Sequence, residues 1–476
     1  MRQTRREAAL APVLIFVTMV TAIVSALGAP LIPTIADDFD VSISTAQWSL
    51  TAALLAGAIA APILGRLGDG PHRRRALVAG LAVVTAGGVV SALATSLAVL
   101  VAGRAMQGVG LGLVPMTMAA ARDHLPRERV APVIALLSVC AAAGVGAGYP
   151  ITGFIADGPG LSAAFWFGAV VGAVALAATL AVVPRSASRD GVGLDLPGAA
   201  LLSLGLVALL LAIAEGNTWG WTSTVVVALL AAAVVLLALW VRQQLRAPAP
   251  LVALRLLRHP AVLAGNSLGL VLGIAMYMFL SAVIAFVQTP TDAGYGFSAS
   301  VVVAGLTLVP FSALSLAASR ALPWLHHAIG ERAVLPIGAL IVGAGSAFFA
   351  VWHGALWQAF AMMAIVGLGL GLTFAAIPGL IVRSVPRPET GSAMGFYQVV
   401  RYVGFSLGSA LTAAMLAGHT PAGAHLPTAS GYVMAMWVSA GFCLAAAVVA
   451  WALLEGRRAE RSAAAAAMAS EHVVAE

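Results

Sequence analysis

Two arginines, Arg104 and Arg401, sit inside long apolar stretches of this chain, and no acidic residue lies comparably deep to answer them. Arginine stays charged, so the pair offers fixed positive charge and planar hydrogen-bond donors, not proton exchange. The chemistry that suits such groups is capture of a carboxylate, sulfate or phosphate, with the ligand supplying the missing anion. Helical spacing puts Gln107 on the face of Arg104 and Tyr397 on the face of Arg401, with Gln398 beside them. Arg104, Gln107, Tyr397, Gln398 and Arg401 are therefore the candidate substrate and coupling residues. Gln47, Trp48, Asn266, Tyr277, Gln288 and Tyr402 add amides and aromatic rings, a mix that suits a mostly apolar ligand with a few polar handles.

Other chemistries are excluded by what the chain lacks. It contains no lysine, so neither a phosphate-binding loop of the ATPase kind nor Schiff-base chemistry is available. All nine histidines fall in loops, span ends or the tail, leaving no cluster for a membrane-embedded hydrolase. His326-His327 is a pair without further ligands nearby, and Cys140 and Cys443 lie in apolar runs, where packing is their expected role. No enzyme activity, cofactor or metal is expected.

The elements that must position these residues are membrane spans. With 61% hydrophobic and 9% charged residues, the chain is far from the composition of a soluble domain. Fourteen apolar runs reach the roughly 20 residues that cross a bilayer as helices. They cover about 10–35, 47–65, 76–93, 97–121, 130–156, 163–183, 196–214, 222–241, 260–287, 299–319, 333–351, 356–382, 391–417 and 431–454. The remaining 23 of the 25 arginines occupy every second loop, and six acids without an arginine occupy the others: Asp37, Asp38, Asp40, Asp157, Glu215 and Asp292. Positive charge accumulates on the cytoplasmic side, so both termini are expected there. The net charge of +7 is spread over segments that face anionic headgroups and implies no nucleic-acid partner.

The halves resemble one another at an offset of about 259 residues. Gly108, Gly110, Gly112 and Leu113 align with Gly367, Gly369, Gly371 and Leu372, each set followed by an arginine (Arg122, Arg383) and a Pro-Arg pair. Gly144 and Gly148 align with Gly404 and Gly408, and the loop of Arg73 with that of Arg332. The fold expected is all-α and polytopic: 14 transmembrane helices as two pseudo-repeated six-helix bundles, residues 1–184 and 259–454. A linker with two extra helices, 185–258, joins them, and a tail, 455–476, follows. Duplicated halves around a midplane site are the plan of secondary transporters.

Between spans 2 and 3 the chain reads Gly65-Arg66-Leu67-Gly68-Asp69-Gly70-Pro71-His72-Arg73-Arg74-Arg75. This loop resembles the signature of the major facilitator superfamily, Gly-x-Leu-x-Asp followed by a basic cluster. The resemblance implies an inner gate built on Gly65, Asp69, Arg73 and Arg74, in which Asp69 caps a neighbouring helix or pairs with an arginine. Gly70 and His72 depart from the usual pattern. Span 5 carries Gly144-x-x-x-Gly148-Tyr149-Pro150-x-x-Gly153, similar to the superfamily's antiporter motif, with Tyr149 inserted; the resemblance implies a hinge against the opposite half. Span 4 matches the Arg-x-x-Gln-Gly-x-Gly element at Arg104, Gln107, Gly108 and Gly110.

Fourteen spans, with Leu194-Asp195-Leu196-Pro197-Gly198-Ala199 opening span 7 and Glu215-Gly216 to Trp219-Gly220-Trp221 closing it, narrow the resemblance to the fourteen-spanner drug:proton antiporters. Members usually carry an Asp nine residues before the Pro of an Asn-x-Ala-Leu-Pro element; anchored on Pro33, that Asp is Val24 here and the Asn is Ala29. The resemblance thus implies alternating-access export of small hydrophobic or amphiphilic compounds, drugs or secondary metabolites, coupled to protons. With the titratable group gone, coupling falls to a peripheral acid such as Asp38, Asp123 or Asp157, or to the substrate. The alternatives are a proton-independent facilitator and an exporter of a specific anionic metabolite or lipid. A monomer in the bacterial inner membrane is expected, its partners the substrate, the lipid bilayer and protons.

Overall fold

In the computed structural model, the described residues are 2–27, 31–157, 160–184, 193–421 and 426–474. Ala29, Pro30 and the 185–192 part of the linker lie outside them. The described chain is helical throughout, and fourteen helices are long and apolar enough to cross a membrane. Spans 1 to 7 are Ala8–Ala26, Trp48–Asp69, Arg73–Ala92, Leu97–His124, Arg127–Ile155, Leu161–Val182 and Leu196–Trp219. Spans 8 to 14 are Thr224–Arg246, Pro260–Gln288, Val301–Ile329, Ala333–Val351, Leu356–Ser384, Arg387–Gly418 and Ala429–Ala452.

Two expected boundaries move. The run at 10–35 does not form one helix: span 1 ends at Ala26 and a separate short helix follows, Ile32–Asp38. The sequence holds prolines at 30 and 33, which lack the N–H that would continue the ladder. Span 7 runs beyond 214 to Trp219 before Gly220, at φ 86°, turns the chain away. Glu215 therefore lies in the last turns of span 7, not in a loop.

Within the first six spans, span 1 packs on spans 5 and 6, span 2 on span 4, and span 3 on spans 4 and 6. Among the last six, span 9 packs on spans 13 and 14, span 11 on spans 12 and 14, and span 10 on span 12. The glycines of spans 4 and 12 do matching work in these two sets. A Cβ on Gly108 would strike the backbone of Ala53 in span 2, and one on Gly367 the backbone of Phe311 in span 10. Four residues on, Gly112 meets Ala60 of span 2 and Gly371 meets Ser315 of span 10. Spaced by four, these glycines leave a flat stripe on which another helix backbone lies directly. The same stripe is local 3₁₀ helix in span 4 (Val109–Gly112) but uninterrupted α-helix in span 12.

The sets meet along two seams. Span 2 and the inner end of span 4 pack on span 13, and span 5 packs on spans 10 and 12. Span 7 lies across the first seam, against both span 2 and span 13. Leu202, Leu206 and Leu210 join Ala58 and Ala61 of span 2 and Val399 and Tyr402 of span 13 in one buried apolar cluster. Span 8 backs span 7 and leaves Val227, Val234, Val235 and Leu239 exposed, as a lipid-facing helix does. Asp195 caps span 7 at the Gly198 N–H (2.9 Å) and accepts from Gln244 of span 8 (2.7 Å), locking the pair together.

Replacing Gly108 or Gly367 by Leu is expected to destabilise the protein by about 1–3 kcal/mol, since neither helix pair can separate without losing its packing. Gly354→Ala, at a position with nothing within 4 Å of a new Cβ, should leave stability unchanged. Thermal unfolding midpoints in detergent test both.

Candidate functional site: the latched seam and the two deep arginines

The first seam closes at the arginine-rich end through a helix terminus. The α-helix of span 13, Thr390–Gly418, begins with Thr390, Gly391 and Ser392, whose backbone N–H groups have no partner within the helix, and its own N-cap residue, Glu389, makes no side-chain cap. Asp69, at the end of span 2, supplies the cap from the other set. Its Oδ1 accepts from the Gly391 N–H at 2.6 Å and its Oδ2 from the Ser392 N–H at 2.8 Å. Asp69 is 3% exposed and is the one buried carboxylate among the described residues. A carboxylate at a helix N-terminus gains from both hydrogen bonds and the helix dipole. Gly65 makes the approach possible, because a Cβ there would collide with the Gly391 carbonyl.

Arg73 does not pair with Asp69. It donates to Asp123 at 2.7 Å and to the Gly68 carbonyl, tying the loop to the end of span 4. Arg74 donates to the Leu180 carbonyl of span 6 at 2.7 Å. These two hold Asp69's loop rigid within the first set. A second bridge crosses the seam: Arg122 donates to the carbonyls of Val385 (3.0 Å) and Pro386 (3.3 Å) and to the Thr390 hydroxyl. Sequence reasoning noted Arg122 only as a repeat marker; its place directly before Asp123 and the Pro-Arg pair was the signal available.

Span 5 divides its motif between two neighbours. Gly144 and Gly148 face Met19, Ala22, Ile23 and Ala26 of span 1, within their own set, not the opposite half. This corrects the expected hinge geometry, and the reason is periodicity: residues four apart form one stripe, and span 1 offers the matching small residues Ala22 and Ala26. The stripe that does face the other half comprises Gly146 against Ser312, Tyr149-Pro150 against Gly305, and Gly153 against Val302. Ser312 also donates to the Ala143 carbonyl at 3.0 Å.

Arg104 is wholly buried (0% exposed) and lies at the end of span 1. Its Nη1 donates to the Val24 carbonyl at 3.0 Å and to Gln107 Oε1 at 2.7 Å, and its Nη2 to the Ser25 carbonyl at 2.8 Å. Val24 and Ser25 belong to the last turn of span 1, whose carbonyls carry the negative end of the helix dipole. The arginine is thus the C-terminal cap of a helix that stops inside the protein.

Arg401 is different. It is 3% exposed, and its guanidinium carbon lies 5.1 Å from the Phe374 ring centre, 5.6 Å from Phe405 and 5.7 Å from Tyr397. Its Nε and Nη1 have no hydrogen-bond partner, and no carboxylate pairs with it among the described residues. Nearby, Gln398 Nε2 donates to the Tyr402 hydroxyl (3.3 Å), which donates to the Leu111 carbonyl of span 4 (3.4 Å). Arg401, Tyr397 and Gln398 therefore come together on span 13, while Arg104 and Gln107 form a separate group on span 4. Gln47 is exposed and joins neither. No group of three or more potential metal ligands occurs among the described residues.

A family model described as the Major Facilitator Superfamily matches residues 14–409. The chain belongs to that superfamily. It is a multi-pass membrane transporter, not an enzyme, as the fourteen spans and the loop of Asp69 implied. It is 27% identical over 402 residues to the probable actinorhodin transporter of Streptomyces coelicolor, covering 81% of this chain and 68% of that one. It is 30% identical over 436 residues to the cephamycin export protein CmcT of Amycolatopsis lactamdurans, covering 88% and 86%. Among solved structures, the human organic anion transporter MFSD10 superposes with a TM-score of 0.65 at 15% identity, over 93% of this chain and 99% of that one, a likeness of fold.

Asp69→Ala should strand two N–H groups and remove hydrogen bonds contributing about 1.5–3 kcal/mol each. The arginine-rich ends are then expected to separate in at least about a tenfold larger fraction of molecules. Spin labels on exposed Arg75→Cys and Arg387→Cys read this as a longer distance; an unchanged distribution removes the latch. Arg104→Met should cost about 3 kcal/mol of stability by exposing the Val24 and Ser25 carbonyls to apolar surroundings, with Arg104→Lys recovering part of it.

Proposed function

We propose that this protein exports small amphiphilic compounds bearing an anionic group across the bacterial inner membrane by alternating access, with Arg401 as the residue that meets the anion. The observation that carries this reading is a buried guanidinium held by three aromatic rings and no acid. Cation–π contacts contribute about 0.5–2 kcal/mol each, whereas a charge deep in a span costs several unless it finds a partner. A substrate carboxylate, sulfate or phosphate completes the balance, and the surrounding rings suit the apolar remainder. Arg104 has carbonyl partners of its own, and its role here is to position span 1.

Alternating access works through the latched seam. With Asp69 and Arg122 engaged, the arginine-rich ends are closed; losing the Asp69 cap frees span 13 to swing from span 2. The arginine distribution supports placing this end, with both termini, in the cytoplasm. The likeness to the probable actinorhodin transporter and to the cephamycin export protein supports export of a secondary metabolite or drug, in the manner of the fourteen-spanner antiporters.

Coupling has two readings. Of the peripheral acids, Asp123 is engaged by Arg73, Asp38 is exposed, and the side chain of Asp157 is outside the described residues. Asp69 is better placed: a protonated acid keeps an acceptor for one N–H group but not the charge that both share. The second reading, a facilitator indifferent to protons, is favoured by Val24 at the position where the family's acid stands.

Purified protein in liposomes with an imposed pH gradient separates these readings. Gradient-driven uptake of anionic over neutral and cationic amphiphiles is expected, and uptake indifferent to the gradient establishes the facilitator. Arg401→Ala should lower transport of anionic compounds at least about tenfold, the worth of one charge-assisted hydrogen bond, and spare neutral ones. Equal loss for both kinds overturns the charge-pairing role.

A further inference from the structure

The groups assigned above to the substrate all belong to the second set of spans: Arg401, Tyr397 and Phe405 stand on span 13 and Phe374 on span 12. A ligand held by these alone would ride with one half of the molecule. Yet a ligand drives a conformational change only through contacts that differ between the two states, so a contact from the first set is needed as well. The residue the structure offers is Tyr149, the tyrosine inserted in the span 5 motif.

Tyr149 stands where span 5 meets span 10, next to Gly305. It lies within electrostatic reach of Tyr277 of span 9, and Tyr277 within reach of Arg401 and Tyr402. Gly269, Gly273 and Tyr277, spaced by four, share one face of span 9. Gly269 lies against the Tyr397 ring and Gly273 against the Arg401 carbonyl and the Phe405 ring. One turn further on, Tyr277 stacks on Phe405, with ring centres 4.5 Å apart and planes inclined by 25°. Arg401 and Phe405 are themselves one turn apart, about 6 Å along span 13. A guanidinium, an aromatic pair and two phenols thus follow one another away from the arginine-rich end. Neither the Tyr149 nor the Tyr277 hydroxyl is engaged by a hydrogen bond among the described residues. Tyr149, Tyr277 and Phe405 stay partly accessible while Arg401, Tyr402 and Phe374 beside them are buried, as in the wall of a cavity.

We propose that the transported anion is a flat aromatic one with a second oxygen remote from its charge: the anion meets Arg401, the ring lies along the Tyr277 and Phe405 pair, and the remote oxygen accepts a hydrogen bond from Tyr149. Offset stacking favours a flat ring over a chain of similar apolar area. The Tyr149 hydroxyl favours a ring that carries an acceptor, and it ties the substrate to the first set while Arg401 ties it to the second. Tyr149 is then a specificity-determining residue. This deepens the reading of Arg401 as the anion's partner and rests on it.

The experiment measures kcat/KM for uptake of three sulfonates, which stay charged at any working pH, by the full-length chain in liposomes. The probes are octanesulfonate, naphthalenesulfonate and a hydroxynaphthalenesulfonate with its hydroxyl at the far end of the rings. The hydroxylated ring is expected to exceed the plain ring about fivefold, the worth of one net hydrogen bond, and the plain ring to exceed the chain by about as much. Tyr149→Phe should bring the first ratio near one and leave the other two probes unchanged. Tyr277→Leu should bring the second ratio near one with octanesulfonate still moving, and Tyr277→Phe, which keeps the stack, should keep both ratios. The proposal is overturned if Tyr149→Phe lowers all three probes equally, since its part is then structural. Octanesulfonate moving as well as either ring also overturns it, and leaves Arg401 as the anion's partner. Uptake of all three that survives Arg401→Ala removes the charge-pairing reading itself, and no uptake of any of them removes both.

Discussion

A helix that stops inside a membrane protein leaves backbone groups that water cannot reach, and this constraint organises the molecule. Span 13 starts, and span 1 stops, against other helices. Each terminus is completed by a side chain of the charge its dipole favours: Asp69 at the N-terminus of span 13, Arg104 at the C-terminus of span 1. The two caps differ in one respect. Arg104 joins helices of one set and has no reason to let go, whereas Asp69 joins helices of different sets, so its bonds must break whenever the halves rock. The same physics serves rigidity in one place and switching in the other.

The inserted pair of helices follows from this division. Span 7 touches both partners of the latched seam through an apolar cluster, which is non-directional and tolerates sliding, while its polar anchors, Asp195 with Gln244 and Asn217 with the Ala410 carbonyl, sit near its two ends. A helix placed so shields the seam from lipid without adding a directional bond across its middle. Among the described residues the opposite seam has no such cover. There span 5 meets span 10 through glycine stripes and a hydroxyl bond from Ser312 to the Ala143 carbonyl, and the contact opens into a cleft at the arginine-rich end.

How far the sequence carried depended on whether the partner was local. Span number, the odd character of Arg104 and Arg401, and the Asp69 loop were legible because apolar run length and intramembrane charge are properties of a segment. What Asp69 binds was not, for Gly391 lies 322 residues away and looks like any helix-start glycine. Arg104 stood among the candidate substrate and coupling residues because a charge inside a span needs a partner, and its partners, the Val24 and Ser25 carbonyls at the end of span 1, lie 80 and 79 residues away. Gly144 and Gly148 were assigned to the wrong neighbour because a small-residue stripe says that something packs closely and not what. Arg122 was visible in the repeat, yet its bridge appears only when the loop after span 12 is placed beside it.

The replacement of the span 1 acid by Val24 is coherent with this geometry. A carboxylate at position 24 would stand in the very turn whose carbonyls Arg104 caps, and a charged acid there would compete with those carbonyls for the same guanidinium. With valine, the arginine is committed to the backbone and span 1 is fixed as a structural element. The charge left to be answered is then Arg401, on the helix whose N-terminus the latch holds. On the proposed reading, an anion arriving at Arg401 and the release of Asp69 from Gly391 and Ser392 both act on span 13, ten residues apart, so that one rigid helix couples the two without any titrating group between.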